Sequence, residues 1–199
     1  RRNACINECS RQGKPNMGLK YREITNELKT FIEAQKLFFV GTAAAEGRIN
    51  VSPKGMDSLR VLDSNRVVWL NLTGSGNETA AHVREHNRMT LMFCAFEGSP
   101  RILRLYGSAR AIHRHDTDWD TCYSLFKPLP GARQIFDMKV DLIQTSCGMG
   151  VPLFDYAGDR EQLIDWAARK GDAGLKKYWE EKNLTSLDGI ATHITGNSD

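Results

Sequence analysis

Between residues 48 and 112 the chain reads RINVSPKGMDSLRVLDSNRVVWLNLTGSGNETAAHVREHNRMTLMFCAFEGSPRILRLYGSARAI: three strand-like runs, one helix and two more strands. Its centre is NLTGSGNET. There a strand-like run (66–72) gives way through Gly74 and Gly76 to Asn77, a residue suited to cap a helix, and then to AAHVREH. A glycine-rich turn opening onto a helix N-terminus leaves backbone N–H groups pointing outward, which suits a phosphate. The same glycines also serve simply to make a turn, and the loop alone does not choose between the two readings.

Short strands at close spacing, with turn chemistry between them and one internal helix, predict an antiparallel barrel or sandwich rather than a doubly wound sheet. Upstream, Ile24, Leu28, Phe31 and Ile32 share one helical face behind Thr25 as N-cap, with Glu27 in the first turn. KLFFVGTAAA (36–45) reads as a buried strand. Pro53 would be awkward in mid-sheet, so SPKG predicts a strand end or bulge where Lys54 is free to meet a ligand. Residues 59–62 and 66–72 pair across the turn DSN. Downstream, 89–96 and 101–112 read as strands, 118–126 as a helix, and RQIFDMKVDLIQT (133–145) as the last core strand. Arg101 and Arg104 fall on different strand faces and do not form one clamp. From Asp159 the pattern is helical: EQLIDWAARKG stops at Gly171 and GLKKYWEEKN follows.

With 199 residues, 41% hydrophobic and 26% charged, the chain has the length and composition of one ordinary globular domain. No apolar run is long enough to cross a membrane, which excludes an integral membrane protein. The first sixteen residues, RRNACINECSRQGKPN, read as a leader, with Met17 as the natural start. They hold four of the 27 basic and one of the 24 acidic side chains, leaving 23 of each in the body. A neutral body removes composition as an argument for nucleic-acid binding, and none is expected. Five cysteines without an export signal point to a reducing cytoplasm. Cys5 and Cys9 lack a second ligand pair, so no zinc site is expected, and Cys94 within LMFCAF reads as a buried thiol.

The order helix, barrel strands, glycine turn, helix, paired strands, together with VSPKG, VVWLNLTGSGNET and RILRLYGSARAI, resembles the pyridoxamine 5'-phosphate oxidase-like, FMN-binding split-barrel family over residues 24 to 146. The resemblance implies a mainly β split barrel (17–146) with peripheral helices and a helical C-terminal extension (147–199) packed on it. It also implies a homodimer with FMN bound non-covalently at the interface. Carried over, the cofactor residues are Ser52, Lys54, Gly55 and Met56 around the basic position, and Ser75, Asn77 and Thr79 at the turn. Trp69, Leu70 and Asn71 fall where the chain flanks the isoalloxazine ring. Physics agrees with a phosphate here: a helix N-terminus, hydroxyls and one ammonium match its charge.

The chain also departs from the true pyridoxamine phosphate oxidases. Their turn carries an adjacent Arg-Lys pair and their chain ends in an Arg/His-rich segment. Here Asn77, Glu78 and Thr79 stand at the turn and the tail reads LTSLDGIATHITGNSD. Pyridoxamine phosphate oxidation is therefore not expected. The tail resembles a separate branch in which SCGMGVP and an SLDG-like segment follow the barrel.

The implied function is a flavin-dependent oxidoreductase acting on a small-molecule substrate, with no general acid or base assigned. Alternatives are a relative that binds the deazaflavin F420, heme binding on the same barrel, or a flavin-binding module without turnover. Other residues take plainer readings. Cys147 is read as part of a structural turn rather than a reactive thiol, His113 and His115 as a solvated strand terminus rather than metal ligands, and His82 as covering the helix surface rather than facing the cleft. Trp166, Tyr178 and Trp179 pack the C-terminal helices onto the barrel.

Overall fold

The computed structural model describes residues 18–196, so the expectations for the leader, Met17, Cys5 and Cys9 lie outside the described residues. The fold is mainly antiparallel β: β1 (Lys20–Tyr21), β2 (Phe38–Thr42), β3 (Asn50–Lys54), β4 (Leu59–Asp63), β5 (Arg66–Leu72), β6 (Arg88–Cys94), β7 (Ile102–His113) and β8 (Ala132–Ser146) form one eight-stranded sheet. The strand order β3-β2-β6-β7-β8-β5-β4, with β1 added on β8, curls into a barrel left open between β3 and β4, a split barrel. Its helices are α1 (Asn26–Ala34), α2 (Glu78–Glu85), α3 (Trp119–Tyr123) and α4 (Gln162–Lys182).

Local chemistry accounts for much of this. Thr25 caps α1, its hydroxyl accepting from the Leu28 N–H at 3.3 Å, and the i, i+4 pair Leu28 and Ile32 enters the core. Strand β5 is buried on both faces, which is why VVWLNL is apolar without alternation. Val67 and Trp69 face the barrel core with Phe93, Leu105 and Phe136, while Val68 and Leu70 face a second core with Ile112, Trp119 and Phe126. Pro53 stands next to the end of β3, which stops at Lys54, so SPKG marks the strand end expected of it and no bulge. The proline is tolerated because β3 is a sheet edge, whose outer N–H groups need no partner. Where β7 crosses β8, the register shifts between Tyr106 and Gly107. A Cβ at Gly107 would overlap the Lys139 carbonyl, so only glycine fits.

After β8 the chain returns over the barrel. α4 is two helical runs that meet at a kink at Gly171, the position where the sequence pattern stops the first. At φ 62°, ψ 175° that residue occupies a region open only to glycine. Ala167, Leu175 and Trp179 of α4 pack with Ile194 in a third apolar cluster, joined by Trp166 and Tyr178.

Candidate functional site

Strand β3 alternates, placing the less exposed Asn50, Ser52 and Lys54 on one face and Val51 and Pro53 on the other. Lys54 forms no ion pair with a described residue, and its ammonium lies over the Trp69 ring, 5.7 Å from the centroid. Burial, and after it the positive charge of Arg133, push its pKa down from 10.5 to about 8.

Arg133 sits in the irregular start of β8. Leu72 pairs with Ala132 and Asn71 with Gln134, which leaves Arg133 out of the ladder and turns its side chain toward the glycine turn. The residue is only 3% exposed. Its Nη1 donates to the Gly76 carbonyl at 3.0 Å and to Asn183 Oδ1 at 2.8 Å, and its Nε is buried without a partner. Burial pushes its pKa down to about 10. Two desolvated cations therefore repel one another with no described carboxylate between them. Removing a charge from water costs several kcal/mol unless an opposite charge compensates, so the pair is matched to an anion (order ~3 kcal/mol per group).

The turn itself is held from the C-terminal side. Asn183 Nδ2 donates to the Gly74 and Ser75 carbonyls at 3.2 and 3.3 Å, and Trp179 Nε1 donates to Thr73 Oγ1 at 2.9 Å. Asn77 occupies the N-cap position without capping: its Oδ1 accepts from Gln134 Nε2 at 2.7 Å and its Nδ2 donates to the Asn183 carbonyl at 3.4 Å. The Glu78 carboxylate accepts from the Leu187 N–H at 3.0 Å, which directs its charge to the C-terminal segment and away from the turn. Arg48 and Asp188 form an ion pair that ties the same segment to the approach to β3.

Of the residues predicted from sequence, Ser52 and Thr79 join one polar network. Asn50 Nδ2 donates to Thr79 Oγ1 and Thr42 Oγ1, both at 3.2 Å, while Ser52 Oγ donates to Asn50 Oδ1 at 2.8 Å. Ser75 is exposed beside a cavity of about 690 Å³ that is also bordered by Asn50, Val51, Gly76, Lys182 and Leu187. Gly55 and Met56 lie in the β3–β4 turn, where Met56 and Asp57 adopt φ of 63° and 51°. The turn is held by two Arg60–Asp57 contacts of 2.8 and 2.9 Å and by Ser58 Oγ donating to the Gly55 carbonyl. Trp69 has no exposed surface: its ring stacks on Phe136 with centroids 4.5 Å apart, and its Nε1 has no partner. Leu70 fills the second core and Asn71 is buried opposite Gln134, so the side chains of these three face the interior.

Two expectations are corrected. His82 does not cover the helix surface; it is 1% exposed, with Nδ1 3.2 Å from Thr42 Oγ1 and Nε2 unpartnered. His113 is not solvated either. It is buried, its ring stacked on His115 at 5.4 Å, and burial first of all pushes its pKa down to about 4. Sequence reasoning also missed Arg133 and Asn183. The first showed only as a charged residue opening an apolar strand beside Gly131, and the second carried no signal.

Among the described residues no helix is long and apolar enough to cross a membrane, and no group of three or more His, Cys, Asp or Glu side chains could hold a metal ion. The family described as Pyridoxamine 5'-phosphate oxidase matches residues 24–147. A pyridoxamine 5'-phosphate oxidase family protein of Aspergillus flavus is 35% identical over 194 residues, covering 87% of this chain and 77% of that protein. Among solved structures, a putative pyridoxamine 5'-phosphate oxidase from Lactobacillus delbrueckii superposes with a TM-score of 0.50 at 20% identity, covering 64% of this chain and 98% of that one. The latter likeness bears on the fold alone.

Proposed function

The chain belongs to the pyridoxamine 5'-phosphate oxidase family, and from that premise we propose that it is a flavin-binding oxidoreductase using FMN and acting on a small molecule. The observation that carries this reading is the pair Lys54 and Arg133, two desolvated cations without a carboxylate partner among the described residues, the second of them bound to the Gly76 carbonyl of the glycine turn. A flavin phosphate supplies the missing negative charge. Lys54 takes the basic position that the family uses. Arg133, from β8 rather than from the turn itself, reaches the turn carbonyls with Asn183 beside it. The residues present fit the cofactor's charge, with Ser52, Ser75 and Thr79 supplying hydroxyls near it. Asn77 is committed to Gln134 and Asn183, which leaves it to shape the turn.

Bound FMN would supply hydride or electron transfer, and the protein's part is to hold and orient it and to limit water access. The strained Met56–Asp57 turn fixes the end of the strand that carries Lys54. The exposed apolar residues Ile49, Val51 and Leu187 around the 690 Å³ cavity support a homodimer that closes this face. The test is a titration of the full chain with FMN and with riboflavin, followed by flavin fluorescence and by co-elution on gel filtration. FMN should bind and riboflavin, which lacks the phosphate, should bind far more weakly. Equal affinity for the two would remove the phosphate assignment, and retention of neither would remove the flavin.

A further inference from the structure

α2 separates two sites. Its Thr79 and His82 face β2 and β3, while Ala80, Val83 and Arg84 border a separate cavity of about 590 Å³. The far wall of that cavity is the end of β7, with Ala109, Ala111 and His113, and His115 in the turn after it, and its rim is closed by Thr192 and His193 of the C-terminal segment. This volume lies within the range of small-molecule sites, roughly 300–1,000 Å³. Neither Lys54 nor the glycine turn borders it.

The charges around it are arranged unevenly. Asp116 is the carboxylate at the rim, and its Oδ2 already accepts the His113 backbone N–H at 2.8 Å while its Oδ1 lies 3.5 Å from His115 Nε2. Arg110 is committed to Asp118 and Asp137. Arg84 is exposed and pairs with no described residue, and His193, at the left-handed φ of 53°, lines the cavity from the C-terminal segment. At the back, His113 is nine-tenths buried with its Nδ1 unpartnered. Around it lie Asp116 and His115 in the β7 turn, His193 in the C-terminal segment and Arg133 in β8; the last three disfavour its cationic form. Arg84 is thus the arginine of the lining without a described partner, it stands over a small apolar floor, and no described group has the makings of a metal site.

We propose that this cavity binds a small organic oxyanion, a carboxylate or phosphate ester on an apolar body. Arg84, His115 and His193 hold the anionic head, and Ala80, Val83 and Ala111 pack the body. The site is independent of the flavin reading. It is composite, because His193 reaches it from the C-terminal segment, Arg84 from α2 and His115 from the turn after β7.

The test is a titration of the full chain with benzoate, phenyl phosphate and inorganic phosphate, followed by the histidine Cε1–H resonances. At least one organic anion should shift the His115 and His193 resonances saturably, and whichever of benzoate or phenyl phosphate binds tighter identifies the head group. Arg84→Ala and His193→Asn should each weaken binding about tenfold, the loss of one charge-assisted contact. Both keep the fold testable, since Arg84 is exposed and asparagine tolerates a positive φ. Lys54→Met should bind these anions as the parent does. The proposal is overturned if no probe shifts the histidines, if both rim variants bind like the parent, or if inorganic phosphate binds as tightly as the organic anions.

Discussion

Replacing Lys54 by methionine keeps most of the side-chain volume and removes one of the two desolvated positive charges. Burial, with Arg133 second, holds this ammonium at about 8 against an ordinary 10.5. Below pH 8 both the folded and the unfolded chain carry the proton, and the folded state bears the full penalty, about 3 kcal/mol at 1.36 kcal/mol per unit. Between pH 8 and 10.5 the folded chain has released a proton that the unfolded chain keeps, so stability rises with pH and the penalty fades. Lys54→Met should therefore be more stable than the parent near neutrality, by up to about 3 kcal/mol or roughly 6–12 °C in Tm for a chain of this size. The gap should close as pH rises past about 10. Paired urea melts without ligand across this range measure it. Adding saturating FMN should reverse the order, because the ligand stabilises only the chain that binds it. A Lys54→Met protein that is less stable than the parent at neutral pH, or a gap that does not change with pH, would refute the claim that this charge is held against its solvation.

The other predictions concern neighbouring parts of the molecule. His113, held at about 4 against 6.5 by burial, refuses a proton that the unfolded chain accepts, so stability should fall as pH drops through that window, by about 3 kcal/mol in all. His113→Gln should flatten this acid limb in urea midpoints. Asn183→Ala removes the side-chain acceptor of Arg133 and two donors to the turn, and should cost about 3 kcal/mol in denaturant unfolding together with much of the FMN affinity. Gly107→Ala sets a methyl group against the Lys139 carbonyl at the β7–β8 irregularity; a loss of about 3 kcal/mol or more is expected, and a melt within a degree or two of the parent would disprove the close approach.

What the chain's local patterns could and could not carry is visible residue by residue. Thr25 was legible as a cap because its partner is three positions away, and the α1 stripe because helical spacing is local. Asn77 obeys the same capping rule, yet its side chain is taken by Gln134 and by Asn183, which no local rule can weigh. VVWLNL announced a buried strand, but a strand covered on both faces gives no alternation to say which residues face a ligand. Trp69 and Leu70 therefore looked available when each fills a different core. His82 depended on which side of α2 meets β2, a fact fixed only by packing.

The neutral body charge hid the feature that now matters most. The nine Lys/Arg–carboxylate ion pairs of the described residues lie largely toward solvent, so equal numbers of acids and bases do not cancel where the dielectric is low. Inside, Lys54 and Arg133 are cations without a carboxylate partner among the described residues, and a sum over the sequence cannot report that. The C-terminal segment makes the arrangement tolerable. Asn183 accepts from Arg133 and braces the turn carbonyls, and the Thr192 hydroxyl donates back to the Asn183 carbonyl. The next residue, His193, closes the cavity on the other side of α2. One short stretch of chain thus supports the charged turn and supplies part of the second cavity, so a disturbance at Asn183 should be felt on both sides of α2.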